Sequence, residues 1–320
     1  MRLPTRILAL GALALLPLTT LTGCVGASGA GSAISVAQAY FAAVASGDAT
    51  KALTFAHPPD GDDSLLTDAV LAASNKLAPI TDVKVTLPKS SQNSQYNVDV
   101  KVDFDLGGKP ATITTTVSNY GDDDKWLIHG LSSIEIDRFD GLGLTIDGQE
   151  VSGKRVEVFP GTYDFALGLK GFTLKGETRV AITESYSSSI EKLDPVLDDA
   201  GVAAFREAVR AEVAGCIATT TLAAGCKLTL PTSFTDGTMM TDGTIQRLLT
   251  ADSTTAIESM VPTLSVENPT LAKGEFVGAV RASGQCTKNG ASGTCEVTFA
   301  PSLGVPSINM AKEPLTVLWD

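Results

Sequence analysis

Apolar side chains near the start of the chain recur at helical spacing. Val36, Tyr40 and Val44 lie one turn apart, so they share one face of a predicted helix. Gly47 and Asp48 follow, a pair that is typical of the end of one helix and the N-cap of the next. The first part of the chain is therefore predicted to begin with helices.

A further helix is predicted over residues 64–76, after which the period changes to two. Between Tyr96 and Asp105, apolar residues alternate with polar and acidic ones, which predicts a strand with one face in water. Two more strands are predicted over 111–120 and 125–137. Helices followed by a run of strands indicate an α+β fold.

Residues 144–182 combine strand and turn patterns without a helical period. Asp147-Gly148 predicts a hairpin, and Pro160-Gly161 lies within a second predicted strand pair. We therefore expect a small β module in the middle of the chain.

The last part of the chain is predicted to open with an amphipathic helix capped by Asp198 and Asp199. Its apolar stripe consists of Val202, Phe205, Val209, Val213 and Cys216. Strands are predicted near residues 244–250, 255–266, 276–286, 295–300 and 315–319. A helix followed by antiparallel strands indicates a second α+β unit.

The segment YFAAVASGDATKAL and the four strands that follow it resemble the nuclear-transport-factor-2-like (NTF2-like) domains of bacterial lipoproteins. The resemblance covers roughly residues 33–138, and a cystatin-like arrangement is a related expectation. It implies a sheet curled around helices to leave a cone-shaped hollow. The candidates to line or fill that hollow are Tyr40, Phe41, Val98, Val100, Val102 and Phe104. The turn around Pro160-Gly161 is similar to that of the small β modules of the PEGA type.

The start of the chain is typical of an exported protein. Arg2 and Arg6 precede an apolar run over residues 7–21, which is the pattern of a secretory signal peptide. Leu21-Thr22-Gly23-Cys24 resembles the lipobox of bacterial lipoproteins, of a Gram-positive, actinobacterial type. The resemblance implies cleavage before Cys24 and acylation of that cysteine, palmitate included. The protein would then be anchored to the extracytoplasmic face of the cell membrane.

The charge of the chain excludes one large class of partners. Removal of the signal peptide takes away Arg2 and Arg6, so basic residues fall from 24 to 22 against 36 acidic ones, a net charge of −14. Such a chain repels nucleic acid and anionic headgroups unless it has a basic patch, and the sequence shows none. We expect no nucleic-acid partner.

Four cysteines remain besides Cys24, and they allow three pairings. Because two pairs are local, we predict the disulfides Cys216–Cys226 and Cys286–Cys295, the second across a hairpin with an Asn-Gly turn. The alternative is a metal site, but the spacing is not CxxC and neither histidine lies near in sequence. No metal or cofactor is expected.

Candidate catalytic residues are few. His57 and His129 are predicted to lie apart, and the chain has no HExxH, no GxSxG and no phosphate-binding glycine loop. Residues 189–192 spell SxxK, but the matching KTG motif is absent. The alternation in the second predicted strand places Asp99 and Asp103 on its polar, outer face. No catalytic residue is therefore assigned.

These observations favour a non-catalytic lipoprotein that acts as a tethered binding or assembly module, with an envelope protein or the cell wall as its partner. The alternatives are an enzyme using an NTF2-like pocket and the solute-binding lipoprotein of a transporter. The predicted organisation is a signal peptide (1–23), a flexible tether (24–33), an NTF2-like domain (34–140), a small β module (141–186) and a disulfide-containing helix-plus-sheet domain (187–320).

Overall fold

The computed structural model describes residues 29–88, 96–119, 125–184, 189–297 and 301–320. The helices within them are α1 (Gly29–Ser46), α2 (Ala49–Leu53), α3 (Asp68–Leu77), α4 (Asp199–Ile217) and α5 (Ala251–Ser259). The strands are β1 (Ile80–Thr86), β2 (Asn97–Leu106), β3 (Lys109–Ser118), β4 (Leu127–Ile128), β5 (Ser132–Glu135), β6 (Leu144–Ile146), β7 (Gln149–Glu150), β8 (Arg155–Val158), β9 (Gly161–Leu167), β10 (Phe172–Lys175), β11 (Arg179–Ile182), β12 (Asp194–Leu197), β13 (Met239–Met240), β14 (Gln246–Leu249), β15 (Thr263–Leu264), β16 (Leu271–Lys273), β17 (Gly278–Lys288), β18 (Ala291–Glu296), β19 (Ser302–Leu303), β20 (Pro306–Asn309) and β21 (Val317–Trp319). Helices and antiparallel sheets together confirm the α+β class. No helix within the described ranges is long and apolar enough to span a bilayer.

The first unit is an antiparallel meander, β1-β2-β3-β4, with α1 packed on one face. Gly47 ends α1 at a φ of +78°, and the Asp48 side chain accepts a hydrogen bond from the Lys51 amide to cap α2. The six residues expected to line or fill a hollow are 0–3% exposed, namely Tyr40, Phe41, Val98, Val100, Val102 and Phe104. They fill the space between α1 and the sheet, and Phe159 from the second unit packs with them.

The described chain becomes helical earlier than the sequence predicts. The flexible tether was expected to run to residue 33, whereas α1 begins at Gly29 and Ala33 is fully buried in the first core. The tether prediction is therefore wrong over residues 29–33, where burial of Ala33 in the first core holds this part of α1 against the sheet. Cys24, its lipobox and residues 24–28 lie outside the described residues.

The second unit begins earlier than expected, because β5 leaves the first sheet and pairs with β8. The strand predicted over 125–137 is thus two strands in different units, and the boundary lies between β4 and β5. The predicted hairpin at Asp147-Gly148 is confirmed as β6–β7. The strand pair predicted around Pro160-Gly161 is wrong, since β9 pairs with β6 and β11, and β8 does not pair with it.

The third unit opens with α4, whose predicted apolar stripe is confirmed. Phe205, Val209 and Val213 are 0–1% exposed in its core. The strand predicted over 255–266 is wrong at its start, because α5 occupies Ala251–Ser259. Thr250 caps that helix by accepting a hydrogen bond from the Ser253 amide, and the cap outweighs the β-branched composition.

Both predicted disulfides are formed. The Cα atoms of Cys216 and Cys226 are 6.1 Å apart and those of Cys286 and Cys295 are 5.8 Å apart. The second bridge runs diagonally across the β17–β18 hairpin, because Cys286 lies opposite a glycine at position 293. Cys286 is buried at 5% exposure, whereas Phe276, which precedes β17, is 60% exposed.

A buried arginine connects the first disulfide loop to the sheet. Arg247 on β14 is 3% exposed, and its guanidinium donates five hydrogen bonds, all to backbone carbonyl oxygens. The acceptors are Thr219, Thr221, Leu222 and Leu228. Burial lowers the pKa of Arg247. The loop that follows α4 is thus held by the Cys216–Cys226 disulfide and by the hydrogen bonds from Arg247.

Candidate functional site

The structure brings together the two histidines that the sequence predicts to lie apart. His57 follows α2 and His129 follows β4, and their rings stack with centroids 4.0 Å apart and planes 26° apart. The contact forms because the segment after α2 runs alongside β4, where the His57 amide donates to the Ile128 carbonyl at 3.0 Å. The expectation of separate histidines is therefore wrong, and no local pattern around either residue could have corrected it.

Ser118 at the end of β3 joins the two rings. Its Oγ lies 2.8 Å from Nε2 of His57 and 3.0 Å from Nε2 of His129. A hydroxyl has one proton to donate and can also accept. In the neutral pair, Ser118 therefore donates to one imidazole and accepts from the other, so the two rings take opposite tautomeric roles.

The electrostatics of the pair disfavour a second proton. Burial lowers the pKa of His57, the neighbouring His129 lowers it further, and Asp60 opposes them. Two imidazolium rings stacked at 4.0 Å would repel each other. The cluster is consequently most stable with at most one positive charge.

A cavity of about 260 Å³ opens beside the rings, at the junction of the first two units. Asp60, Arg155 and Glu157 line it together with both histidines. Glu157 on β8 is 8% exposed, and one carboxylate oxygen accepts from the Asp60 amide at 3.0 Å. Its own amide donates to the Asp62 carbonyl at 2.9 Å. The segment after His57 is therefore held by both units.

This arrangement does not form a serine nucleophile site. Ser118 is 0% exposed, so a substrate carbonyl cannot reach its Oγ without opening the fold. Both ring contacts with Ser118 are already made, and among the described residues no carboxylate is hydrogen-bonded to either imidazole in the manner of a catalytic triad.

A metal site is no better supported than a serine nucleophile site in the described part of the chain. Within it, the one group of three His, Cys, Asp or Glu ligand atoms lying within 4.8 Å of one another is Glu212, Cys216 and Cys226. Both sulfurs belong to the first disulfide. Only the exposed carboxylate of Glu212 remains as a ligand while that bridge is intact.

Asp99 and Asp103 lie on the outer face of the first sheet, as the alternation predicts. Asp99 accepts a hydrogen bond from Thr116 Oγ1 at 2.7 Å. Asp103 pairs with Lys101 at 2.8 Å, and the hydrogen bond from Lys101 is the largest cause of its lowered pKa. Exposed and already partnered, these carboxylates offer no enclosed site.

One carboxyl with a raised pKa lies elsewhere, in the β6–β7 turn. Burial raises the pKa of Asp147, whose Oδ1 accepts from the Asp164 amide at 2.8 Å. The nearby Tyr163 is 1% exposed, and its hydroxyl donates to the Phe159 carbonyl at 2.7 Å. Asp147 is not among the residues that line the cavity of about 550 Å³ beside β6. Asp147 therefore fixes the turn and does not line this cavity.

The chain matches no protein-family model, no curated protein and no solved structure in the comparisons made.

Proposed function

We propose that the chain is an exported lipoprotein, acylated at Cys24 and held at the extracytoplasmic face of the cell membrane, where it acts as a non-catalytic binding or assembly module. The observation that carries the non-catalytic part is the closed His57–Ser118–His129 cluster. It gathers both histidines of the chain around a serine that solvent does not reach. Its hydrogen bonds lie within the first unit, and the neighbouring contacts of Glu157 with Asp60 and Asp62 join that unit to the second.

The two disulfides support the proposed compartment. Structural disulfides are formed and kept outside the reducing cytoplasm. Both bridges close short loops, with sequence separations of 10 and 9 residues, in the unit furthest along the chain from the anchor.

The filled first core supports an assembly role over a ligand-binding one. The order of α1 and the four-stranded meander supports an NTF2-like first domain, an assignment that rests on the resemblance given above. The PEGA-like assignment rests only on the turn at Pro160-Gly161, because the strands that flank it do not pair with each other. In an NTF2-like domain, a core filled by Tyr40, Phe41 and the β2 valines leaves no space for a ligand among those side chains.

The solute-binding alternative is less well supported. That class is built on parallel sheets in two α/β lobes. The named strand pairs in the described residues are all antiparallel, and the parallel pairings are isolated bridges at Ala56–Ile128 and Asp62–Val156.

The proposal is tested with two variants, one that removes the lipid anchor and one that alters the histidine cluster. The Cys24→Ala variant should lose palmitate labelling, accumulate as precursor and lose the cross-linked envelope complexes that the anchored protein forms in cells. The His57→Gln variant should keep both the labelling and the complexes, because its contribution is structural. Normal lipid labelling of Cys24→Ala would contradict the anchor. Loss of function in a folded, fully anchored His57→Gln protein would contradict the non-catalytic role.

A further inference from the structure

The distance from the proposed anchor to the folded chain is short. Four residues separate Cys24 from Gly29, where α1 begins. Five residue steps span at most about 18 Å even when fully extended. If the acyl chains of Cys24 lie in a bilayer, the first turn of α1 cannot be further than this from the anchoring cysteine.

The exposed face of α1 is compatible with that proximity. Residues 29–46 contain no charged side chain, although the whole chain carries a net charge of −12. One face of the helix packs on the first sheet, and the other exposes Ser35, Gln38, Ala42 and Ser46. Anionic headgroups would repel most acidic surfaces of this protein, but they would not repel this one.

We propose that the exposed face of α1 lies against the lipid surface that holds the Cys24 acyl chains. The inference rests on the proposed acylation and adds to it an orientation of the first unit. The helix face itself offers few apolar side chains, so it has little affinity for lipid on its own. The short connection supplies the contact by keeping the local concentration of headgroups high. Gln38 lies nine residues from Gly29, about 14 Å along the helix and near its middle, on the exposed face.

The orientation can be measured on the mature acylated protein in vesicles of phosphatidylcholine and phosphatidylglycerol. Gln38→Cys is labelled with an environment-sensitive dye, and quencher lipids report its proximity to the headgroups. Thr114→Cys is the matched control, because Thr114 is exposed on β3 at the face of the same sheet that points away from α1. We expect quenching at position 38 to exceed that at position 114 by roughly twofold or more, as for a helix at the interface. Equal quenching at the two positions would overturn the proposal.

A second arm tests the role of the connection. A Gly-Ser insertion of about ten residues before Gly29 should reduce the quenching at position 38 towards the control level, because a longer linker lowers the effective concentration. Unchanged quenching would overturn the argument from tether length. The intact mass of each protein reports acylation separately. An acylated protein without preferential quenching therefore refutes the orientation alone, and an unacylated one refutes the proposed anchor.

Discussion

Replacement of Arg247 by methionine should strongly destabilise the third unit. The guanidinium donates to four carbonyl oxygens, at distances from 2.6 Å for Thr219 to 3.3 Å for the Nε contact with Leu228. Methionine fills a similar volume but donates no hydrogen bond, so Thr219, Thr221 and Leu228 lose this donor, whereas the Leu222 carbonyl keeps its bond from the Leu230 amide. A buried acceptor left unsatisfied costs about 1–3 kcal/mol.

The magnitude follows from which carbonyls water can reach. Leu228 is 0% exposed, so its carbonyl bears the full cost, whereas Thr221 lies on the surface and can be rehydrated. Removing the guanidinium also relieves its own desolvation, which is the cause of its lowered pKa. Allowing for both effects, we expect the free energy of unfolding to fall by about 3 kcal/mol.

Urea denaturation followed by the fluorescence of Trp319 would measure this loss, in a Trp126→Phe background, because Trp319 packs on the core of the third unit. Arg281→Met is the matched control. Arg281 is exposed on β17, directly opposite Leu248 on β14, so the control removes the same charge from the neighbouring strand. A loss for Arg247→Met within about 0.5 kcal/mol of the control would refute the reasoning. Arg247→Lys should lie between the two, because an ammonium cannot reproduce the fork of donors.

Three further predictions concern the other units. Non-reducing peptide mapping should find the Cys286–Cys295 bridge. Its removal in a Cys286→Ser/Cys295→Ser protein should lower the free energy of unfolding by roughly 2–3 kcal/mol, as measured by urea denaturation. An unchanged urea midpoint would contradict this prediction. Because the pKa of His57 is lowered in the folded state, its contribution to the free energy of unfolding is present above about pH 6.5 and lost as the pH falls below that value. The free energy of unfolding should therefore decline more steeply from pH 7 to 5 than it does in His57→Gln. Parallel curves for the two proteins would refute the link between His57 protonation and stability. Gly201→Ala should destabilise α4, because a Cβ there would lie 2.2 Å from the Gly171 carbonyl oxygen; a melting temperature equal to that of the parent would show that the contact relaxes freely.

Features of the fold that depend on neighbouring residues could be predicted from the sequence. The alternation around Val98 fixes which face of β2 is buried, and Asp147-Gly148 sets the β6–β7 hairpin. Both signals act over a few residues, where side-chain period and backbone preference decide the conformation. The spacing of the four cysteines likewise predicted both bridges.

Features that depend on distant parts of the chain could not. His57 and His129 meet because the segment after α2 runs beside β4, and neither sequence neighbourhood encodes that contact. Residues 255–259, the second half of α5, were predicted as the start of a strand, whereas the Thr250 cap and the burial of Ser253 against β17 select a helix. The sequence of β5 resembles a continuation of the first meander, and only its pairing with β8 shows that it belongs to the second unit.

The position of Phe159 has a consequence for how this chain can be divided. Its ring is fully buried among the residues of the first core, with its centroid 6.3 Å from that of Tyr40, although it lies between β8 and β9 of the second unit. A fragment that ended near residue 140 would lack Phe159 and would leave a cavity beside Tyr40. A chimeric protein that exchanged the first unit would also have to include the segment between β8 and β9 that contains Phe159. The first two units therefore share one core and cannot be separated without exposing it, even though the chain runs through them in succession.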